Sequence, residues 1–296
     1  MLAQKKEAPF KILLADDGSE HAWAARALLG DLPFPAGSSV TVLRAYSSSQ
    51  VGDLVLLEKA VNETCAQLKD SGLQAEAKLL PGSPAEKVLE YTEEHCPDLT
   101  VVGAQGLRAT LGILLGGTAQ QVVEYAGCPV LVVRAPYKAL RHILLVTDGS
   151  ESSRQAAQYL ASLPLPGSAR LQVMHILPPP PMRTFLPDAP YGDLLTTASE
   201  TLSEAEADLR AKEEAEGQAL VDRTVKSMLS AGLVARGVLR RGDAATEITQ
   251  YVKQEKIDLI VTGSRGISHV RSWLLGSLTR KLVHYSGCSV LVVRGR

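Results

Sequence analysis

Residues 263–278, GSRGISHVRSWLLGSL, carry glycines at 263, 266 and 276, with Ser277 directly after the last. This G-x2-G-x9-G-S spacing follows the apolar run IDLIVT, which reads as a strand. It precedes Leu278, Leu282 and Tyr285, an i, i+4, i+7 stripe that reads as a helix starting near Ser277. A strand running into glycines and then into a helix start is suited to holding an anion. Glycine lets backbone approach a ligand and take positive φ. The first N–H groups of a helix are unpaired and sit at the positive end of its dipole. Ser277 would then donate its hydroxyl to a phosphate oxygen, and Thr279 could do the same from the first turn. The same residues also suit a plain helix cap preceded by turn glycines. The motif is looser than a P-loop, and no lysine follows the last glycine.

Elsewhere the same spacing returns without the serine. Residues 103–118, GAQGLRATLGILLGGT, place glycines at 103, 106 and 116, followed by Gly117 and Thr118. The surrounding blocks return too. KILLADDGS at 11–19 matches HILLVTDGS at 142–150, DLTVVGAQG at 98–106 matches DLIVTGSRG at 258–266, and GCPVLVVR at 127–134 matches GCSVLVVR at 287–294. The blocks keep their order, so the chain is a tandem duplication. Its halves meet in the short linker APYKAL, 135–140, giving expected domains 1–137 and 138–296.

Each half alternates strand and helix. In the first, strands fit 11–16, 39–46, 74–80, 99–103 and 129–134, and helices fit 19–30, 53–71, 84–95 and 117–126. This pattern implies an α/β fold, a parallel sheet with helices on both faces. Such sheets take ligands beyond the carboxyl ends of their strands, where the strand order reverses. Asp17 and Asp148 are 131 residues apart and Gly103 and Gly263 are 160 apart, so the second half holds 29 extra residues. They are expected around 178–212. PPPPMRTFLPDAPYG, 178–192, reads as an irregular excursion because proline supplies no N–H. Residues 197–231, rich in Ala, Glu, Lys and Arg, read as a long helix.

Composition narrows the function classes. The 296 residues are 45% hydrophobic and 21% charged, with a formal net charge of −1. That is an ordinary globular balance and lacks the basic excess of a nucleic-acid binder. No secretory signal is visible, and no apolar run approaches the roughly 20 residues that span a bilayer. A cytoplasmic protein is expected, without membrane or nucleic-acid partners. Cys65, Cys96, Cys128 and Cys288 form no CxxC and show no zinc spacing, so they read as reduced cysteines.

The glycine pattern, the following CxVLVVR and the upstream strand ending in DGS together resemble the ATP-binding universal stress proteins. The resemblance covers nearly the whole chain, twice. It implies two tandem Rossmann-like domains of the adenine nucleotide alpha hydrolase type, each with five parallel strands. It implies ATP, or ADP or AMP, with magnesium as ligand. Gly263, Gly266, Gly276, Ser277 and Thr279 would hold ribose and phosphates, Leu278 adding its backbone. Asp148 would sit by the adenosine, Val146 and Thr147 would line the base, and Ile176 would meet adenine through its backbone. In the first half Asp17, Gly103, Gly106 and Gly116 match, with Thr118 as a substitute donor for the serine missing at Gly117. That site is expected to be the weaker one. The resemblance also implies pairing of 130–133 with 290–293 within one chain, and a homodimer of such chains in a stress response.

Three function classes stay open. One is a nucleotide-dependent regulatory switch whose protein partner the residues do not name. A second is a slow ATPase, for which His269 in the glycine loop is the candidate base and Arg265 and Arg271 flank the same loop. Neither an S-G-G-x-D-S loop nor an H-x-G-H pair is present to support faster chemistry. The third is a scaffold working through its surfaces alone.

Overall fold

A computed structural model describes residues 8–106, 115–179, 194–266 and 275–295. The first half contributes β1 (Lys11–Ala15), α1 (Glu20–Asp31), β2 (Ser39–Tyr46), α2 (Leu54–Asp70), β3 (Gln74–Pro81), α3 (Pro84–His95), β4 (Leu99–Gly103), α4 (Gly117–Tyr125) and β5 (Val130–Val133). The second repeats the order with β6 (His142–Val146), α5 (Glu151–Ser162), β7 (Arg170–Leu177), α6 (Leu194–Ser230), β8 (Ala235–Arg241), α7 (Ala244–Gln254), β9 (Leu259–Gly263), α8 (Ser277–Tyr285) and β10 (Ser289–Val293). The strands expected in the first half agree to within a residue at each end. Helix α1 begins one residue later than expected because Ser19 is its cap, accepting the Ala22 N–H at 3.2 Å.

The strands join in one sheet of ten, in the order β3-β2-β1-β4-β5-β10-β9-β6-β7-β8. Within each half all neighbours run parallel. The halves meet antiparallel, with Leu131 opposite Leu291. Alternate strand residues feed opposite faces, as the pleat requires. Ile12, Leu14, Leu131 and Leu291 join α1, α2, α5 and α6 in one apolar layer. Leu13, Val130, Val132 and Val290 join α3, α4, α7 and α8 in the other. Both layers run unbroken across the seam.

Two arginines lock that seam reciprocally. Arg134, just past β5, donates Nη2 to the carbonyls of Val283 (2.7 Å) and His284 (3.2 Å) at the end of α8. Arg294, just past β10, donates Nη2 to those of Val123 (3.2 Å) and Glu124 (2.7 Å) at the end of α4. Each cation therefore meets the unpaired carbonyls and the negative dipole end of the other half's helix.

The long helix expected at 197–231 is α6, Leu194–Ser230. Helix α6 has 37 residues against 17 in its counterpart α2, so much of the insertion lengthens that helix at its N-terminal end. Residues 180–192 of the expected excursion lie outside the described residues. Gly217 lets α6 press onto β7 and β8, since a Cβ there would stand 2.9 Å from Leu177 and 3.1 Å from Leu239. No helix among the described residues is long and apolar enough to cross a membrane. Cys65, Cys128 and Cys288 are buried and Cys96 is exposed, and these cysteines form no disulfide.

Candidate functional site

In each half the strand order reverses between two neighbours, β1 and β4 in the first, β6 and β9 in the second. Parallel strands leave a crevice there, beyond their carboxyl ends. The sequence places the aspartate turn on one lip of each crevice and the glycine loop on the other.

On the first lip, Asp17 and Asp148 serve the turn and face the loop at once. Asp17 Oδ1 accepts the Ser19 N–H and Asp148 Oδ1 accepts the Ser150 N–H, both at 3.0 Å. The other carboxylate oxygen points at the loop glycine. A Cβ on Gly106 would lie 2.5 Å from Asp17 Oδ2, and one on Gly266 would lie 2.7 Å from Asp148 Oδ2. The turn itself needs glycine at Gly18 and Gly149, whose φ values are +78° and +77°.

On the second lip the motif glycines work by space. None of Gly103, Gly106, Gly116, Gly263, Gly266 and Gly276 takes the positive φ expected of them. A Cβ on Gly263 would lie 2.6 Å from the Ser152 carbonyl carbon, so this glycine lets α5 start against the end of β9. Gly276 closes the loop by donating its N–H to the Ser264 carbonyl at 2.8 Å, as Gly116 does to Ala104 at 2.7 Å. Helices α4 and α8 then begin at Gly116 and Gly276 with no side-chain cap. The first N–H groups of a helix have no partner within it.

The expected second-half residues lie at the carboxyl ends of β6, β7 and β9 and at the start of α8. Val146 and Thr147 are buried at the end of β6, and Ile176 is half-buried on β7. Ser277 is exposed at the first position of α8, and Leu278 beside it is half-buried. Thr279 departs from its expected part as a phosphate donor. It is buried, and its hydroxyl donates to the Gly263 carbonyl at 2.8 Å, tying β9 to α8. The hydroxyl of Thr147 is likewise turned to Ser153 Oγ at 3.2 Å. Arg265 stands on the loop, its N–H donated to Ser152 Oγ at 3.2 Å. His269 and Arg271 lie outside the described residues.

In the first half the crevice is a cavity of about 440 Å³, within the roughly 300–1,000 Å³ of small-molecule sites. Its walls include Asp17, Gly103, Gly106, Gly116 and Thr118, each expected from the sequence. They also include Ala15, Ala45, Leu57 and Val88, an apolar slot that the motif did not reveal. A buried ion pair completes it. Arg44 Nη2 meets Asp16 Oδ1 at 3.0 Å, and Thr64 Oγ1 donates to Asp16 Oδ2 at 2.8 Å. Only the aspartate doublet at 16–17 hinted at this pair. Its partner lies 28 residues on and is brought near by the β1–β2 register.

His21 lies behind the loop. Its Nδ1 accepts the Ala135 N–H at 2.9 Å, and burial pushes its pKa below the ordinary histidine value. Among the described residues, no group of three or more His, Cys, Asp or Glu gathers to hold a metal.

These features define an α/β protein with one crevice per half, flanked by an aspartate turn and by the glycines that precede α4 and α8. The family model described as the universal stress protein family matches residues 10–134 and again 139–294. The chain belongs to the universal stress protein family. Among its relatives, a universal stress protein of Mycolicibacterium smegmatis is 24% identical over 313 residues, covering 97% of this chain and 98% of that one. A Thermus aquaticus universal stress protein is 36% identical over 133 residues, which is 42% of this chain and 97% of the relative. The crystal structure of a universal stress protein from Archaeoglobus fulgidus covers 99% of this chain and 97% of its own, with a TM-score of 0.62 and 20% identity.

Proposed function

We propose that this tandem universal stress protein is an adenine-nucleotide-binding regulatory switch, and that its second half is the ATP site. The observation that carries the reading is the exposed Ser277 at the uncapped start of α8, directly after the loop closed by Gly276. An exposed hydroxyl, first-turn N–H groups and the positive end of the helix dipole at one place all favour a phosphate there. Arg265 adds a cation on the loop, and Asp148 faces Gly266 across the crevice. Adenine fits between Val146 and Ile176, as the apolar slot beside Ala15 and Ala45 suggests for the first half. Magnesium would arrive with the phosphates and draw at most on Asp148.

ATP acts here as a ligand that favours one arrangement of the loop over another. Cleavage needs a positioned water and groups that stabilise the transferring phosphoryl. The residues 264–275 contain no carboxylate to orient that water. Turnover is therefore expected on the order of one per minute or less, against an enzyme median of about 10 s⁻¹. The domains are taken as 1–137 and 138–296, acting in the cytoplasm, with two chains forming a homodimer.

A thermal-shift titration with ATP, ADP and AMP in magnesium tests the reading, since a ligand of the native state alone raises apparent stability. ATP is expected to give the largest shift. No shift with any of the three contradicts nucleotide binding, and phosphate release near the enzyme median makes the chain an ATPase.

A further inference from the structure

The second crevice opens toward the seam. Across the sheet the strands run β7, β6, β9, β10 and then β5 of the other half. A nucleotide with its base by Val146 and Ile176 and its phosphates at the start of α8 therefore runs from β7 toward the first half, outermost phosphate leading. Charged side chains from both halves meet there.

Three of them are arginines. Arg265 lies on the glycine loop, Arg280 is the fourth residue of α8, and Arg294 follows β10. Two of these hold Glu124, next to last in α4 of the first half. Arg294 Nη2 donates to the Glu124 carbonyl at 2.7 Å, and Arg280 Nη2 meets Glu124 Oε1 at 3.3 Å. The third stands close by, since burial and then the Arg265 cation push the Arg294 guanidinium below the ordinary arginine pKa. Arg294 is committed to the end of α4. The Arg280 side chain is 45% exposed, whereas that of Glu124 is 13% exposed. A guanidinium offers five N–H donors in a planar fork, and Glu124 meets one of its nitrogens.

Helix geometry sets the direction of the Arg280 stem. Residues three apart share a helix face, so Arg280 lies on the face of the exposed Ser277. Cα–Cβ bonds tilt toward a helix N-terminus, so the stem sets out toward the uncapped start of α8. In the repeat, Gln120 stands where Arg280 stands and His284 where Glu124 stands. The first half thus has no counterpart of this ion pair. Each glycine loop also carries an arginine outside the described residues, Arg108 in one and Arg271 in the other, so these do not separate the halves.

We propose that Arg280 reads the outer phosphates of a nucleotide in the second crevice, and that Glu124 of the first half positions it, so that the triphosphate end of that site is completed across the seam. The inference rests on the adenine-nucleotide reading above. Arg280 is a specificity residue, separating ATP from AMP through phosphates that AMP lacks, by the charge-assisted fork that arginine forms with phosphate.

Calorimetry with ATP and AMP on the wild type and on Arg280→Gln tests this, the variant giving the second half the residue of the first. Arg280→Gln is expected to weaken ATP about tenfold or more and to leave AMP within about threefold. Its melting temperature without ligand should be unchanged, because a partly exposed ion pair adds little to stability. Arg280→Lys keeps the charge without the fork and should fall between the two. Glu124→Ala, which releases Arg280, should lower the preference for ATP over AMP by about threefold, and Glu124→Gln, which keeps an acceptor, should restore it. ATP binding unchanged in Arg280→Gln overturns the inference, as does an equal loss of ATP and AMP. A preference for ATP that is unchanged or raised in Glu124→Ala overturns the part given to Glu124. If wild type binds ATP and Ser277→Ala weakens it while Arg280→Gln does not, the inference fails and the ATP reading stands. A wild type that binds neither nucleotide overturns both.

Discussion

Replacing Arg134 with methionine keeps most of the stem and removes the guanidinium that crosses the seam. The lost contacts include two hydrogen bonds from one cation to the Val283 and His284 carbonyls, at 2.7 and 3.2 Å. Hydrogen bonds to charged groups contribute about 1.5–3 kcal/mol each, and a partly buried cation at a helix C-terminus adds up to about 2 kcal/mol. Against this stands desolvation, which pulls the Arg134 guanidinium below the ordinary arginine pKa and is recovered in the variant. The net loss is about 2–3 kcal/mol, or roughly 4–12 °C in Tm at about 2–4 °C per kcal/mol for a domain-sized unit. Arg294→Met should cost a similar amount through Val123 and Glu124. Lys87→Met is the control, since its 2.7 Å pair with Glu90 is at the surface and such pairs contribute about 0–1 kcal/mol. Urea unfolding followed by circular dichroism gives the three values. If Arg134→Met falls within about 0.5 kcal/mol of wild type, the strand pairing holds the seam without the arginines and the capping argument fails.

Two further outcomes follow from the loop and its surroundings. Gly263→Val should be strongly destabilised because its Cβ meets the Ser152 backbone at 2.6 Å, whereas Gly276→Val, with 3.3 Å to its nearest neighbours, should melt closer to wild type and lose ATP; a Gly263→Val variant that melts like wild type contradicts the packing role. His21 has a folded pKa below its ordinary 6.5, so the unfolded chain binds the extra proton first and stability falls as pH drops below about 6.5. His21→Gln should flatten that fall between pH 7 and 5, and equal slopes in the two proteins would exclude the contribution of His21.

The duplicated blocks made the architecture legible. DGS, the glycine loop and VLVV recur in order, and hydrophobic runs of strand length between helical stretches set the α/β class. The terminal strands pair within one chain as the family resemblance implied. The purpose of the motif glycines was harder to read, because a glycine needed for space looks the same in sequence as one needed for positive φ. Only the packing of Ser152 behind Gly263 and of Asp148 beside Gly266 separates the two. Thr279 looked like a phosphate donor from its place in the first helical turn, but the carbonyl end of β9 lies closer and takes its hydrogen. The Asp16–Arg44 pair and the slot of Ala15, Ala45, Leu57 and Val88 draw on β1, β2, α2 and α3. No local spacing announces residues that meet only through strand register.

The central claim is that Ser277 and the start of α8 hold the phosphates of ATP, and calorimetric titration of ATP into wild type and Ser277→Ala tests it most directly. A hydrogen bond to a charged phosphate is worth about 1.5–3 kcal/mol, so Ser277→Ala should weaken ATP binding by about tenfold or more with an unchanged melting temperature in the absence of ligand. Equal affinities in the two proteins would contradict the claim.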